Sequence, residues 1–126
     1  MSDLVTLYRP VGSKELALIE AAGFLAFPPR LPGQPIFYPV TNEAYAAQIA
    51  RDWNTKYNDD KVGYVTRFSL PRDYLAQFDR KIVGGAEHEE LWVPAEQLME
   101  FNSKIVGKID VIRKFTEADR HEGNVW

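Results

Sequence analysis

Five of the chain's eight prolines fall between residues 28 and 39, at Pro28, Pro29, Pro32, Pro35 and Pro39. A proline fixes φ and offers no backbone N–H, so this stretch cannot run as a helix or as a central strand. It predicts a rigid loop over residues 28–35 and then a short strand, Ile36-Phe37-Tyr38. The sheet must therefore be assembled from segments on either side of that loop. A chain of 126 residues forms one domain. At that size it buries roughly two-thirds of the surface its unfolded form exposes.

Upstream of the prolines, Leu4-Val5-Thr6-Leu7-Tyr8-Arg9 reads as a first strand stopped by Pro10, with Arg9 at its end. Gly12 turns the chain, and Ser13 caps a helix through Ala22 on which Leu16, Ile19 and Ala22 share a face. Gly23 supplies the stop. Downstream, Thr41 or Asn42 caps a helix to about Trp53, with Tyr45, Ile49 and Trp53 on one face at four-residue spacing.

Residues 54–61 are polar and predict a surface loop. Residues 62–70 alternate, Tyr64, Thr66 and Phe68 against Val65, Arg67 and Ser69, as a half-buried strand does. Pro71 then starts a short helix over 72–78, and Gly84-Gly85 marks a turn. Residues 89–93 read as a strand, 94–101 as a short helix or turn, and 105–115 as a last strand. The final eleven residues are polar enough to fray, although Trp126 suggests a packed tail. Strands with short connections dominate the later half, which favours an α+β fold with a largely antiparallel or mixed sheet. Of the sixteen aromatic residues, Tyr45, Trp53, Phe68 and Trp92 are assigned to the core.

The composition removes several chemistries. Without cysteine there is no disulfide framework, thiol nucleophile or zinc–thiolate site. His88 and His121 lie far apart with no metal-ligand spacing, so no metal is expected. Fifteen Lys and Arg against eighteen Asp and Glu lack the basic excess of a dedicated nucleic-acid binder. There is no glycine-rich phosphate loop, no signal peptide and no run able to span a bilayer. The expectation is a soluble, cytoplasmic protein.

The densest titratable cluster is Glu87-His88-Glu89-Glu90, between a double glycine and the apolar Leu91-Trp92-Val93. Strand alternation puts His88, Glu90 and Trp92 on one face and Glu89, Leu91 and Val93 on the other. Such a charge run is most often a solvated strand entry; the alternative is a His88–Glu90 pair acting on a bound substrate. Arg9 suits a phosphate clamp or a pairing with a carboxylate. Tyr38 suits ring stacking or core packing, and Thr41 a helix cap or a hydroxyl facing a cleft.

The order of these residues resembles that of small ADP-ribosyltransferase-like proteins, among them short, mostly bacterial proteins labelled ADP-ribosylation/crystallin-like. The resemblance spans about residues 4–115. Leu7-Tyr8-Arg9-Pro10-Val11 is similar to the family's first strand, whose Arg or His holds NAD. Ile36-Phe37-Tyr38-Pro39-Val40-Thr41 is similar to the second motif, which carries a Ser-Thr-Ser element or a Tyr packed on nicotinamide. Glu90-Leu91-Trp92-Val93-Pro94 resembles the strand that begins with the catalytic glutamate.

The resemblance implies two short sheets with flanking helices around a cleft, and NAD as substrate. It assigns Arg9 to the NAD phosphate or ribose and Tyr38, or else Thr41, to the nicotinamide side. Glu90 becomes the catalytic glutamate, with His88 two residues before it where the family selects its acceptor. Glu89 would instead pair with Glu87 as Glu-x-Glu, but its spacing to Pro94 is one residue too long, so Glu90 ranks first. The implied activity is ADP-ribosyl transfer to a protein, nucleic acid or small molecule, or NAD glycohydrolysis with water as acceptor. Two other readings stand beside it. One is a catalytically silent nucleotide- or protein-binding module on the same fold. The other is an RNA-phosphate transferase, for which Arg9, Arg30 and Arg67 are the scattered basic candidates.

Overall fold

The computed structural model describes residues 3–58, 60–82 and 88–122. Two three-stranded antiparallel sheets carry the fold. The first has the order β1 (Leu4–Val11), β3 (Gly63–Pro71), β6 (Val106–Phe115). The second has the order β2 (Ile36–Phe37), β5 (Glu89–Pro94), β4 (Asp79–Ile82). Among the described residues no helix is long and apolar enough to cross a membrane.

β1 does not stop at Pro10. It continues to Val11, with Pro10 opposite Val65. The reason is that β1 is an edge strand. Tyr8 points its N–H away from β3, to the Val40 carbonyl at 2.9 Å, and Pro10 lies two residues on with the same orientation. The N–H that proline lacks would thus face outward, where no ladder bond is lost.

The two sheets meet along residues 39–41. Val40 exchanges both backbone hydrogen bonds with Tyr8, while Thr41 N donates to the Glu89 carbonyl and Leu91 N to that of Pro39. Val40 therefore bridges Tyr8 on one side and Glu90 on the other. Pro10 cannot extend this seam, and the sheets part beyond it. A cleft opens there.

Helix α1 (Ser13–Ala21) begins as expected, but Gly12 is its N-cap and Ser13 its first residue; Ile19 is buried, whereas Ala22 lies exposed beyond its end. Gly23 follows with φ of 69°, the left-handed region that only glycine enters without penalty. Asn42, rather than Thr41, caps helix α2 (Glu43–Ile49), its side chain accepting from Tyr45 N at 3.0 Å.

The long helix expected to Trp53 instead passes through a π-helical turn over Ala50–Asn54 before a short α3 (Thr55–Tyr57). Within it the buried Thr55 hydroxyl donates to the Arg51 carbonyl. A wider turn rotates the following residues out of phase with Tyr45 and Ile49. Trp53 is consequently 60% exposed, not core.

β3 is the central strand of its sheet, with irregular register against β6 at Val65/Thr66 and Arg67/Ser69; Thr66, Phe68 and Leu70 are buried, whereas Arg67 is exposed and Ser69 half-buried. This is the half-buried alternation the sequence predicts, except that Val65 on the open face is buried as well. Helix α4 (Arg72–Leu75) is shorter than expected: the chain turns after Leu75, whose carbonyl accepts from Phe78 N at 3.1 Å, and Asp79–Ile82 then form β4. All four β4 residues are exposed on an edge, so they carry no hydrophobic alternation to read. After β5, a 3-10 turn (Ala95–Gln97) leads into α5 (Leu98–Ser103). Residues 117–122 form helix α6 rather than a frayed end. There Thr116 and Asp119 cap reciprocally: Thr116 N donates to Asp119 Oδ2 at 2.7 Å and Asp119 N to the Thr116 carbonyl at 3.0 Å. The Gly84-Gly85 turn, Glu87 and Trp126 lie outside the described residues.

The main core joins Leu7, Val11, Phe68 and Leu70 of the first sheet to Phe37, Leu91 and Val93 of the second. Phe101 packs edge-on against Phe37 at 5.4 Å and Phe68 at 6.2 Å between ring centroids. A second cluster seats α2, through Tyr45, Ala46 and Ala47, on Val40, Val65 and Phe115. Burying aromatic and aliphatic side chains of this size contributes roughly 1.5–3 kcal/mol each before entropy is charged against it.

Candidate active-site cleft

The proline segment forms a wall. Its loop is pinned at Phe27, whose backbone N–H donates to Asn102 Oδ1 at 2.9 Å while Asn102 Nδ2 donates back to the Phe27 carbonyl at 3.0 Å. Pro28, Pro29, Arg30 and Leu31 line one side of a cleft of about 830 Å³. The end of β1, the start of α1, the π-helical turn with Tyr57 beyond it, Tyr38 and Glu90 also line it.

Arg9 occupies a core-facing position of β1 between Leu7 and Val11, and it is 7% exposed. A guanidinium can sit there only because it is paired. Glu15, on the first turn of α1, takes a two-pronged contact: Arg9 Nε donates to Oε2 at 2.7 Å and Nη2 to Oε1 at 3.1 Å. The cation also lies 4.7 Å from the Phe37 ring centre and 5.8 Å from that of Tyr38. Arg30 stands on the opposite wall, with Nε donating to the Ile36 carbonyl at 3.2 Å. Burial first and the Arg9 charge second draw the Arg30 pKa below its ordinary value, with Glu15 partly offsetting them.

Glu90 is 8% exposed and lies on the face of β5 opposite Leu91 and Val93. Its two oxygens each accept one side-chain donor. Tyr45 Oη donates to Oε2 at 2.8 Å, and Trp92 Nε1 donates to Oε1 at 3.1 Å. Burial, followed by the hydrogen bond to Glu90, pushes the Tyr45 pKa up to about 12. The phenol therefore stays a donor across the physiological range. Each carboxylate oxygen keeps a further lone pair for a ligand hydroxyl.

Arg9, Tyr38 and Glu90 all line this one cleft. Thr41 and His88 are not among its lining residues. Thr41 Oγ1 donates to Glu89 Oε1 at 3.0 Å, and Arg80 Nη1 reaches the same oxygen at 3.3 Å, so Glu89 is engaged away from the cleft. His88 stacks on the Tyr45 ring, centroids 4.3 Å apart and planes 12° from parallel. It thus stands behind the residue that holds Glu90. Arg67 is exposed on β3 and pairs with Asp110 at 3.7 Å, also outside the cleft.

The chain matches no protein-family model, no curated protein and no solved structure. The site brings a shielded carboxylate, a paired arginine and an open tyrosine around one cavity.

Sequence reasoning missed Glu15, and it placed Tyr45 and Trp92 in the core although both donate to Glu90. Tyr45 is indeed buried, but Trp92 is 38% exposed. The alternation that put Trp92 on the face of Glu90 already contained the signal. Nothing in the local pattern marks Glu15, whose partner is fixed by the turn at Gly12.

Proposed function

We propose that the cleft binds NAD and that the protein is an ADP-ribosyltransferase-type enzyme with Glu90 as its catalytic carboxylate. The observation that carries this reading is the convergence of Arg9, Tyr38 and Glu90, from β1, the end of β2 and β5, on one cavity. In this reaction the bond between the ribose C1′ and the nicotinamide nitrogen breaks. Its electron pair leaves with nicotinamide, which departs neutral, and the ribosyl carbon acquires oxocarbenium character as in glycoside cleavage. Glu90 accepts a hydrogen bond from the ribose hydroxyl and stabilises that charge, with Tyr45 and Trp92 fixing the carboxylate before the substrate arrives. Tyr38 offers its half-exposed ring to the nicotinamide, and Arg9 offers its remaining N–H groups to the phosphate. The acceptor nucleophile, or water, completes the bond and loses a proton.

The test is incubation with labelled NAD, reading nicotinamide release and transfer of label to an extract. Glu90→Gln is expected to lower both by about 10²–10³, the scale of one lost electrostatic contact in a transition state. Unchanged turnover in that variant would defeat the assignment.

A catalytically silent nucleotide-binding module is the second reading, and one observation favours it. Arg9 is already matched by Glu15 within the fold. NAD binding without release of nicotinamide by the wild-type chain would select it.

A further inference from the structure

Four large aromatic side chains are exposed among the described residues: Tyr38, Trp53, Tyr57 and Trp92. Three of them, Tyr38, Trp53 and Tyr57, line the same cleft. Trp53 and Tyr57 pack on each other with centroids 4.4 Å apart and planes tilted by 45°. At 60% and 56% exposure, however, neither is sheltered by the other. An exposed tryptophan forfeits the burial that normally repays its size. Moreover, Trp53 is exposed because the π-helical turn takes it off the core face, and such turns are frequent at functional sites.

The place of this pair along the cleft is set by backbone packing. Tyr8 bonds Val40, which pairs with Glu90, so Glu90 lies level with Tyr8. Asn58, just after Tyr57, packs instead against Gly12, close enough that a Cβ at Gly12 would collide with its side-chain amide. Four residues of extended chain separate Tyr8 from Gly12, roughly 13 Å at the rise of a strand. The cleft therefore has aromatic rings at two stations, Tyr38 near Glu90 and Trp53–Tyr57 further along β1. Arg9 and Arg30 line the same cleft. Two flat binding surfaces and two guanidinium groups in one cleft match the two planar bases and the diphosphate of a dinucleotide.

We infer that Trp53, backed by Tyr57, is the stacking platform for the adenine base of the dinucleotide, with Arg30 contacting the diphosphate. This rests on the reading of the cleft as an NAD site and adds the half of the ligand that Glu90 does not touch. Stacking is indifferent to hydrogen-bond pattern, so an aromatic replacement at Trp53 retains it and an aliphatic one does not.

Calorimetric titration of the full chain with ADP and, separately, with nicotinamide mononucleotide tests the platform. Trp53 is solvent-exposed, so its variants are expected to fold, and circular dichroism checks that they do. Trp53→Ala should weaken ADP by about ten-fold or more, Trp53→Phe by about three-fold or less, and nicotinamide mononucleotide should be unaffected by either. Arg30→Gln should weaken ADP more than adenosine. ADP that binds wild type and Trp53→Ala equally, or binds neither, overturns the inference. So does Trp53→Phe as weak as Trp53→Ala. Trp53-dependent ADP binding without any NAD cleavage would keep the platform and remove the proposed reaction. Glu90-dependent cleavage with a KM for NAD unchanged in Trp53→Ala would do the opposite.

Discussion

Tyr45 and Glu90, forty-five residues apart in sequence, are joined by a buried 2.8 Å hydrogen bond. Asn42 sets the start of α2 and Tyr45 falls in its first turn, so the phenol is delivered to β5 by the helix cap itself. A carboxylate this enclosed costs several kcal/mol unless it is matched by donors, and here Tyr45 and Trp92 provide one each. Tyr45→Phe keeps the ring that packs on Val40 and His88 but removes the donor. It is expected to destabilise the fold by about 2 kcal/mol, the usual size of a hydrogen bond to a charged group. Urea unfolding at neutral pH measures that loss. NAD cleavage should fall as well, and Trp92→Phe should repeat both effects more weakly because its indole is nearer solvent.

The same phenol gives an alkaline signature. Tyr45 and Tyr74 are each pushed up from 10.0 to about 12, first by burial and then by a hydrogen bond to Glu90 and Glu100 respectively. Folded pKa values above the unfolded ones mean that the native state holds protons the unfolded state has lost. The associated stability is fully present below pH 10 and is lost as pH rises towards 12. Unfolding midpoints measured across that window should decline. Tyr45→Phe and Tyr74→Phe should each flatten the decline, and the double variant more than either.

Arg9 and Glu15 make a third case. Because Arg9 occupies a core-facing position, deleting its partner leaves a nearly buried cation unmatched. Glu15→Gln should cost about 2 kcal/mol in urea unfolding, below the range for fully enclosed pairs because Glu15 itself remains partly solvated. In the same variant Arg9 is released from its internal counter-charge. Anion binding in the cleft should therefore tighten, most clearly at low salt. A variant that loses stability and gains affinity for ADP would show that Glu15 competes with the ligand for one guanidinium.

The elements legible in the sequence were those whose burial differs between faces. β5 is the clearest: Leu91 and Val93 point to the core, Glu90 and Trp92 away from it, as alternation requires. The proline loop was legible for a different reason, since missing N–H groups exclude ladder pairing whatever the tertiary context. By contrast, β4 is invisible in the sequence because no residue in it is buried. Pro10 reads as a stop in the sequence because the edge position that tolerates it is decided by Val40, thirty residues later. The exposure of Trp53 depends on a π-helical turn, and helical periodicity assumes that no such turn occurs. Of the candidate site, the residue types and their order were readable. The contacts holding them, Tyr45 on Glu90 and Glu15 on Arg9, depend on distances between elements, which spacing along one chain does not encode.

Gly63 tests how the distal end of the cleft is held. It is buried at the start of β3, directly beneath the π-helical turn. A Cβ there would run into the Ala50 carbonyl oxygen and lie 2.7 Å from Asn54 Cβ. The first of these obstacles is backbone and cannot rotate away, so the turn itself must move. Gly63→Ala should therefore cost about 1–3 kcal/mol, the range for overpacking a well-filled site. Trimming Asn54 as well should not restore stability, because the Ala50 carbonyl would remain in place. A shift of the turn also displaces Trp53 and Tyr57, so ADP binding should weaken in Gly63→Ala at temperatures where the protein is still folded. Full stability in that variant would show that the turn yields without cost, and the close approach of Ala50 to β3 would then carry no weight in placing the aromatic pair.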